Sequence, residues 1–514
     1  MFSPRIDRSC KMKEMNYLSR ILNATVYDVA MESPLDEATA LSKKHGCRFL
    51  LKREDLQVVH SFKLRGAYNK MSQLPREALE KGVLAASAGN HAQGVALAAK
   101  RLGVKATIVM PVTTPEIKIN AVKSYGAGVV LHGDGYSDAA VEAARLVKEK
   151  GLTFIPPYDD PDVIAGQGTV GKEILEQAGR DLTAVFVPIG GGGLAAGVAV
   201  YIKSVRPEVK VYGVEPEDSD CMYRSIKAGR RVTVENPGLF ADGVCVKTPG
   251  EETFKLCRKH LDGIVRVSTA ETCAAIKDVF EATRAICEPA GALALAAAKK
   301  VAKKGETYAC ILSGANMNFD RIRFVSEETE IGERREAIFE VKIPERCGSF
   351  KTFISKIGKR AVTEFNYRMS DPDHAHIFVG LKVNGLEESK ALAANFEKAG
   401  FPTVDLSDDA LAKEHVRHMV GGHCRGVHDE IVLAFEFPER PGALLEFLSV
   451  ISQRWNISLF HYRNHGADHG KVLAGFQVPE GERRDFADAL KRIGYNYRDV
   501  SDNPAYIYFL GNRD

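Results

Sequence analysis

The sequence predicts an α/β protein whose first 325 or so residues build a doubly wound, mostly parallel region, followed by two ferredoxin-like α+β modules. Three observations predict it. Short apolar runs alternate with helical patterns from Leu84 to Phe319, the pattern changes after a charged stretch at 326–337, and the remainder repeats itself.

The apolar runs are four to six residues long and bounded by Gly or Pro, as in "ATIVMP", "GVVLHG", "AVFVPI", "KVYGVEP" and "YACILSG". Such runs suit buried parallel strands, and the helical patterns between them suit right-handed crossovers. Ligands in these sheets bind beyond the carboxyl ends of the strands. The stretch "SEETEIGERREA" (326–337) then reads as a linker or connecting helix. After it, "AIFEVKIPE" and "EIVLAFEFPE" alternate as strands do when one face is buried. Four blocks match in the same order at offsets of 94 or 95 residues: "PERCGSFKTFISKI" with "PERPGALLEFLSVI", "EFNYR" with "LFHYR", "HIFVGLKV" with "KVLAGFQV", and "LSDD" with "VSDN". Each copy reads strand, helix, strand, strand, helix, strand. The expected layout is a tail at 1–16, the doubly wound region at 17–325, a linker at 326–337, and the paired α+β modules at 338–422 and 423–514.

The bulk numbers bound the function classes. A chain of 514 residues with 45% hydrophobic and 27% charged residues is of ordinary globular composition. A net charge of +3 argues against nucleic acid or an anionic membrane as partner. Ten cysteines are scattered, with no two within four residues, so no zinc or redox spacing exists and no metal site is expected. Buried thiols in a reducing, cytoplasmic compartment are the expectation. No apolar run approaches the roughly 18 residues of a membrane span. The first 20 residues read as a frayed tail rather than a signal peptide.

Four stretches carry chemistry. "HSFKLRGAY" places Lys63 between Phe62 and Leu64. A lysine in apolar company has a depressed pKa, and a neutral amine is a nucleophile. "SAGNHAQG" (Ser87, Ala88, Gly89, Asn90, His91 and onward) follows an apolar run and opens a helix. Its small residues and helix N-terminus suit a carboxylate, although an ordinary N-cap would look alike. "GGGGL" (Gly190, Gly191, Gly192, Gly193, Leu194) follows a strand and opens a helix, as a phosphate cradle does. Gly190, Gly192 and Ala195 also fit the dinucleotide fingerprint, with Glu215 at the ribose position. Ser313 in "LSGANMNF" follows the last apolar run directly, so its hydroxyl projects at the sheet edge, as a ligand group or as a helix cap.

Taken together, an amine nucleophile, an amide beside a carboxylate loop, a phosphate cradle and a neutral hydroxyl favour pyridoxal 5'-phosphate over a nicotinamide. "SFKLRGA", "SAGNHAQG", "VPIGGGGLAAG" and "LSGAN" resemble the fold-type II pyridoxal-phosphate enzymes. With the duplicated tail, the chain from about Tyr17 onward resembles the biosynthetic threonine deaminases that carry two ACT-like regulatory domains. The resemblance implies that Lys63 forms the internal Schiff base, with Phe62 near the cofactor ring. It implies that Asn90 bonds the 3' oxygen, that Gly190 to Gly193 with the Leu194 amide hold the phosphate, and that Ser313 faces the pyridine nitrogen. The loop Ser87 to His91 would bind the substrate carboxylate. The implied reaction is β-elimination from L-threonine, and from L-serine, giving 2-oxobutanoate and ammonia in the threonine case, with the freed Lys63 amine as general base. Isoleucine as inhibitor, valine as activator and a homotetramer are implied as well.

The tail suggests two unequal effector sites. One would lie at Gly348, Ser349 and Phe350 with Tyr367, the other at Gly442, Ala443 and Leu444 with Tyr462. Cys347 stands in the first copy where Pro441 stands in the second. Two alternatives remain at this stage: an oxidoreductase using Gly190–Ala195 and Glu215, and an amino-acid sensor whose enzyme region is inactive.

Overall fold

In the computed structural model, residues 17–332, 335–344, 352–353, 356–357, 362–367, 374–416, 428–438, 447, 450–451, 454–463 and 469–510 are described. The chain divides into two compact units, one ending at Asn318 and the other beginning at Phe319.

The first unit carries β1 (Leu35–Glu37), β2 (Arg48–Arg53), β3 (Val83–Ala86), β4 (Ala106–Met110), β5 (Gly128–Leu131), β6 (Thr153–Phe154), β7 (Leu182–Pro188), β8 (Lys210–Pro216), β9 (Gly263–Val267) and β10 (Thr307–Leu312). They form a six-stranded sheet in the order β1-β2-β10-β7-β8-β9 and a four-stranded sheet in the order β5-β4-β3-β6. Among these strands the β1–β2 pairing is antiparallel and the others are parallel. The central strands β3 and β10 are buried along their whole length, which is why they read as unbroken apolar runs.

Three helices carry the site's motifs: α1 (Lys63–Ser72), α2 (Asn90–Leu102) and, with α3 (Pro161–Gln177) packed behind it, α4 (Gly193–Val205). Small residues let them approach closely. A Cβ on Gly197 of α4 would lie 2.4 Å from the Ile164 carbonyl oxygen of α3, and one on Gly94 of α2 would lie 3.0 Å from the Leu64 nitrogen. A buried ion cluster ties α1 to α3. The Arg65 guanidinium reaches Glu54 at 2.8 Å and Glu173 at 2.5 Å, and Lys52 Nζ lies 2.7 Å from Glu173. All four side chains are fully buried. Burial opposes charge on Arg65, but the two carboxylates outweigh it and raise its pKa.

The second unit opens with α5 (Arg321–Gly332), which covers 326–332 of the charged stretch. Next come β11 (Glu336–Pro344), β12 (Val362–Tyr367), β13 (His374–Lys382), α6 (Leu386–Lys398), β14 (Thr403–Asp405) and α7 (Ala410–Glu414). The second copy supplies β15 (Glu430–Pro438), β16 (Asn456–Arg463), β17 (His469–Gln477), α8 (Arg483–Ile493), β18 (Asn496–Asp499) and α9 (Pro504–Phe509). The sheets run β12-β13-β11-β14 and β16-β17-β15-β18, the same order in equivalent strands. The equivalence extends to single bonds. Ile338 N donates to Ser407 Oγ at 2.9 Å, and 94 residues on, Val432 N donates to Ser501 Oγ at 3.0 Å.

The copies share a core that joins Ile338, Phe378 and Leu411 of one to Val432, Leu473 and Ala505 of the other. Asp409 and Asn503, which end the matched "LSDD" and "VSDN" blocks, bond to each other at 3.0 Å. Tyr367 and Tyr462 take matching places, paired with Ile377 and Val472. Gly348, Ser349, Phe350, Gly442, Ala443 and Leu444 lie outside the described residues. Among the described residues, no helix is long and apolar enough to cross a membrane.

Candidate active site

Lys63 is the first residue of α1, directly after Phe62. The chain before it lies along the end of β10: Ser61 bridges Gly314, Ala315 N donates to His60 O, and Phe62 N donates to Ser313 O at 3.2 Å. This short pairing places the lysine beside the carboxyl edge of the central strand. Lys63 Nζ donates to Pro157 O at 2.8 Å and sits 5.3 Å from the centre of the Phe62 ring. Burial lowers its pKa to about 8, opposed by the field of Glu288. The amine is therefore within reach of deprotonation near neutral pH.

Ser87 to Gly89 turn from β3 into α2, and Gly89 N donates to Ser87 Oγ at 3.2 Å. A Cβ on Gly89 would meet nothing within 4 Å, so this side of the loop opens on free space. His91 behaves differently from its loop neighbours. Its ring is buried, Nε2 lies 2.8 Å from Ile155 O, and burial lowers its pKa to about 3. The ring is neutral at physiological pH, so what His91 offers an anion is its backbone N–H at the helix start.

Asn90 is held at both ends of its amide. Its Nδ2 donates to Glu288 Oε1 at 2.7 Å, and its Oδ1 accepts from Asn316 Nδ2 at 2.6 Å. Glu288 and Asn316 were not singled out in the sequence. The available signal was a Glu standing at an N-cap directly before Pro289, where Ser, Thr, Asp or Asn is usual.

Gly190 to Gly193 connect β7 to α4, with Gly192 at φ 97° as the cap. Thr253 Oγ1 donates to Gly191 O at 2.6 Å. The Asp159 carboxylate accepts from the backbone nitrogens of Glu251, Glu252 and Thr253 at 2.8, 3.0 and 3.1 Å, which fixes the helix that carries Thr253. A Cβ on Gly191 would lie 2.3 Å from the Tyr158 ring. The glycines thus leave the loop backbone bare under a close aromatic cover, and the first N–H groups of α4 have no intrahelical acceptor. Leu194 is buried in the first turn of α4.

Segment 155–160 straps these parts together, touching His91, Lys63, the glycine loop and the two flanking helices in turn. Ser313 closes the site. It is buried, and its Oγ makes a long 3.3 Å bond to Ala290 O. Glu215 takes no part in a ribose site. Its carboxylate accepts from Met222 N and Tyr223 N at 2.9 and 2.8 Å, which caps the helix Cys221–Ala228. Burial raises its pKa to about 8. The nicotinamide alternative thereby loses the acidic residue it needs.

The residues present fit a pyridoxal phosphate. They offer a desolvated amine, an oriented amide, a bare glycine turn at a helix start and a neutral hydroxyl.

The comparisons agree. The pyridoxal-phosphate dependent enzyme family matches residues 27–314, and the C-terminal regulatory domain of threonine dehydratase matches 327–416 and 422–510. L-threonine dehydratase biosynthetic IlvA of Burkholderia multivorans is 56% identical over 506 residues, covering 97% of this chain and 100% of the relative. The chain belongs to the biosynthetic threonine dehydratases. The Escherichia coli K12 family member is 51% identical over 499 residues, covering 96% of this chain and 97% of its own. Among solved structures, the processed form of threonine deaminase isoform 2 from Solanum lycopersicum is 51% identical with a TM-score of 0.61. It covers 62% of this chain and 93% of its own. In this dehydratase, Lys63, the Asn90 loop, the tetraglycine and Ser313 all lie within the catalytic match, and the regulatory domain matches twice in the duplicated tail.

Proposed function

We propose that this enzyme converts L-threonine to 2-oxobutanoate and ammonia by pyridoxal-phosphate-dependent β-elimination. The supporting observation is the Lys63 amine, partly desolvated and bonded to a strap that also covers the tetraglycine loop. Pyridoxal phosphate, when bound, supplies the electron sink for cleavage at the substrate Cα. Lys63 would hold the cofactor, and its neutral amine would take the Cα proton. A pKa near 8 suits an amine that must be neutral in one step and protonated in another. Gly190 to Gly193 and the Leu194 amide would hold the phosphate, Asn90 the 3' oxygen, and Ser313 the ring nitrogen, with Phe62 beside the ring. A hydroxyl would be a neutral partner for that nitrogen. The backbone of Ser87 to His91 binds the substrate carboxylate.

Further parts of the reading rest on family resemblance: L-serine as a second substrate, a homotetrameric assembly, a cytoplasmic setting and a place at the first committed step of isoleucine biosynthesis. In the same reading, isoleucine inhibits and valine activates through the duplicated modules. The test is turnover of threonine by purified protein, followed as 2-oxobutanoate, with and without isoleucine. Turnover that isoleucine suppresses and valine restores is the expected result. Absence of 2-oxobutanoate from cofactor-loaded protein would reject the reading.

A further inference from the structure

The Asn90 amide has no freedom in this site. Asn316 Nδ2 donates to its oxygen at 2.6 Å and also to Val59 O at 2.8 Å. Glu288 Oε1 accepts one of its N–H groups at 2.7 Å, and Glu288 Oε2 accepts from Asn316 N at 3.1 Å. Four groups therefore close a ring in which each orients the next. Reversing the Asn90 amide would put its NH2 against the Asn316 NH2 and its oxygen against the Glu288 carboxylate, so only one orientation is tolerated. That orientation leaves one Nδ2 hydrogen uncommitted.

Glu288 is buried and is held by the fold itself. Its backbone N–H donates to Gly314 O, and it stands at the cap of the helix Pro289–Val301. Gly314 makes room for it, since a Cβ there would sit 2.7 Å from Glu288 Oε1. The charged groups acting on Glu288 are Asp242, Lys118 and Lys63, with Lys118 and Asp242 paired to each other at 3.0 Å.

We propose that Glu288 is a positioning residue for the reaction: with Asn316 it fixes the Asn90 amide so that a single N–H faces the cofactor's 3' oxygen, and its negative charge favours the protonated state of the nitrogen that Lys63 contributes. This rests on the reading that Asn90 faces that oxygen. Burial raises the Glu288 pKa to about 7, so its charge changes near neutral pH. The Glu288 carboxylate makes no capping bond to the helix it precedes; its bonds go to Asn316 N and to Asn90, 198 residues away in the chain.

The experiment measures cofactor affinity, by titrating cofactor-free protein, and the pH midpoint of the visible absorption band of loaded protein. Thermal midpoints of the cofactor-free forms serve as a control. Glu288→Gln should weaken cofactor binding by on the order of tenfold, the scale of one charge-assisted hydrogen bond. It should also lower the pH midpoint of the band, because the negative charge near the nitrogen is gone. Asn316→Ala lies at a half-buried position and keeps the charge, so it should weaken binding and leave the midpoint in place. If neither variant changes affinity and Glu288→Gln leaves the midpoint unmoved, the proposal is overturned. Should Glu288→Gln fail to fold, unchanged affinity in Asn316→Ala overturns the positioning ring alone. Asn90→Ala separates the layers. If it changes neither readout, the placement of Asn90 at the cofactor fails. If it changes them and Glu288→Gln does not, only the Glu288 inference fails.

Discussion

The Lys63 amine is held by a carbonyl, Pro157 O at 2.8 Å, in surroundings that disfavour charge. The ammonium form dominates below a pKa of about 8 and the neutral amine above it, so nucleophilicity rises as pH climbs through that value. In cofactor-free protein, peptide-resolved labelling with an amine reagent should show a Lys63 midpoint near pH 8, against about 10.4 for an ordinary lysine. A midpoint at the ordinary value would mean that the amine is solvated. Lys63→Ala should cut turnover by at least a hundred- to ten-thousandfold, the usual worth of a positioned base, and remove the tether as well.

Lys63 was legible in the sequence because its flanks, Phe62 and Leu64, are neighbours in the chain. Its partners were not. Pro157 O is 94 residues away and is a backbone group, which no side-chain pattern reveals. Glu215 left two readings open. Its spacing from the glycines suggests a ribose contact, but a carboxylate can equally turn onto the start of the next helix, and here it bonds Met222 N and Tyr223 N.

At the scale of elements, α1 is anchored two residues past Lys63 by Arg65, clamped between Glu54 and Glu173. Removing one member of a buried charge set leaves the others uncompensated. Glu173→Ala should therefore destabilise the first unit by about 3–5 kcal/mol. Chemical denaturation reads this directly, and a loss under 1 kcal/mol would show the cluster to be solvated. The glycine loop offers a second test. Gly191→Ala drives a Cβ to within 2.3 Å of the Tyr158 ring, so the ring or the loop must shift. Cofactor affinity should fall on the order of tenfold, within the usual range of an overpacking penalty. The double change Gly191→Ala with Tyr158→Ala should recover part of that loss. No recovery would mean that the loop itself, rather than the ring, gives way.

Elements were legible where a period or a glycine cluster marks them, as with β7, the tetraglycine and α4. The strap at 155–160 was not, because "IPPYDD" looks like any turn and its importance lies in what it touches. The charged stretch 326–337 is helical where a connecting helix was one of its two readings, with 326–332 continuing α5, while 336–337 already begin β11.

The whole molecule joins a catalytic unit to a duplicated one whose two halves share a core and a bond between equivalent loop positions, Asp409 and Asn503. Duplication was legible because four blocks keep their order and spacing. The shared core was not, since periodicity shows which residues are buried but not against which copy. A chain ending near Glu330 should still bind pyridoxal phosphate and deaminate threonine while ignoring isoleucine. Full isoleucine inhibition of a soluble truncation would move the effector site into the catalytic unit. Leu444→Phe should weaken isoleucine inhibition and spare uninhibited turnover, with a change inside the roughly 1–3 kcal/mol usual for allosteric coupling. Unaltered sensitivity in this variant, and in variants of Phe350 and Tyr367, would place the effectors elsewhere.

The central claim is that Lys63 carries the cofactor, and borohydride reduction of the loaded enzyme followed by peptide mass mapping tests it most directly. A pyridoxyl adduct on Lys63, lost in Lys63→Ala, is the expected result. An adduct on another lysine of the chain, such as Lys52 or Lys70, would contradict it.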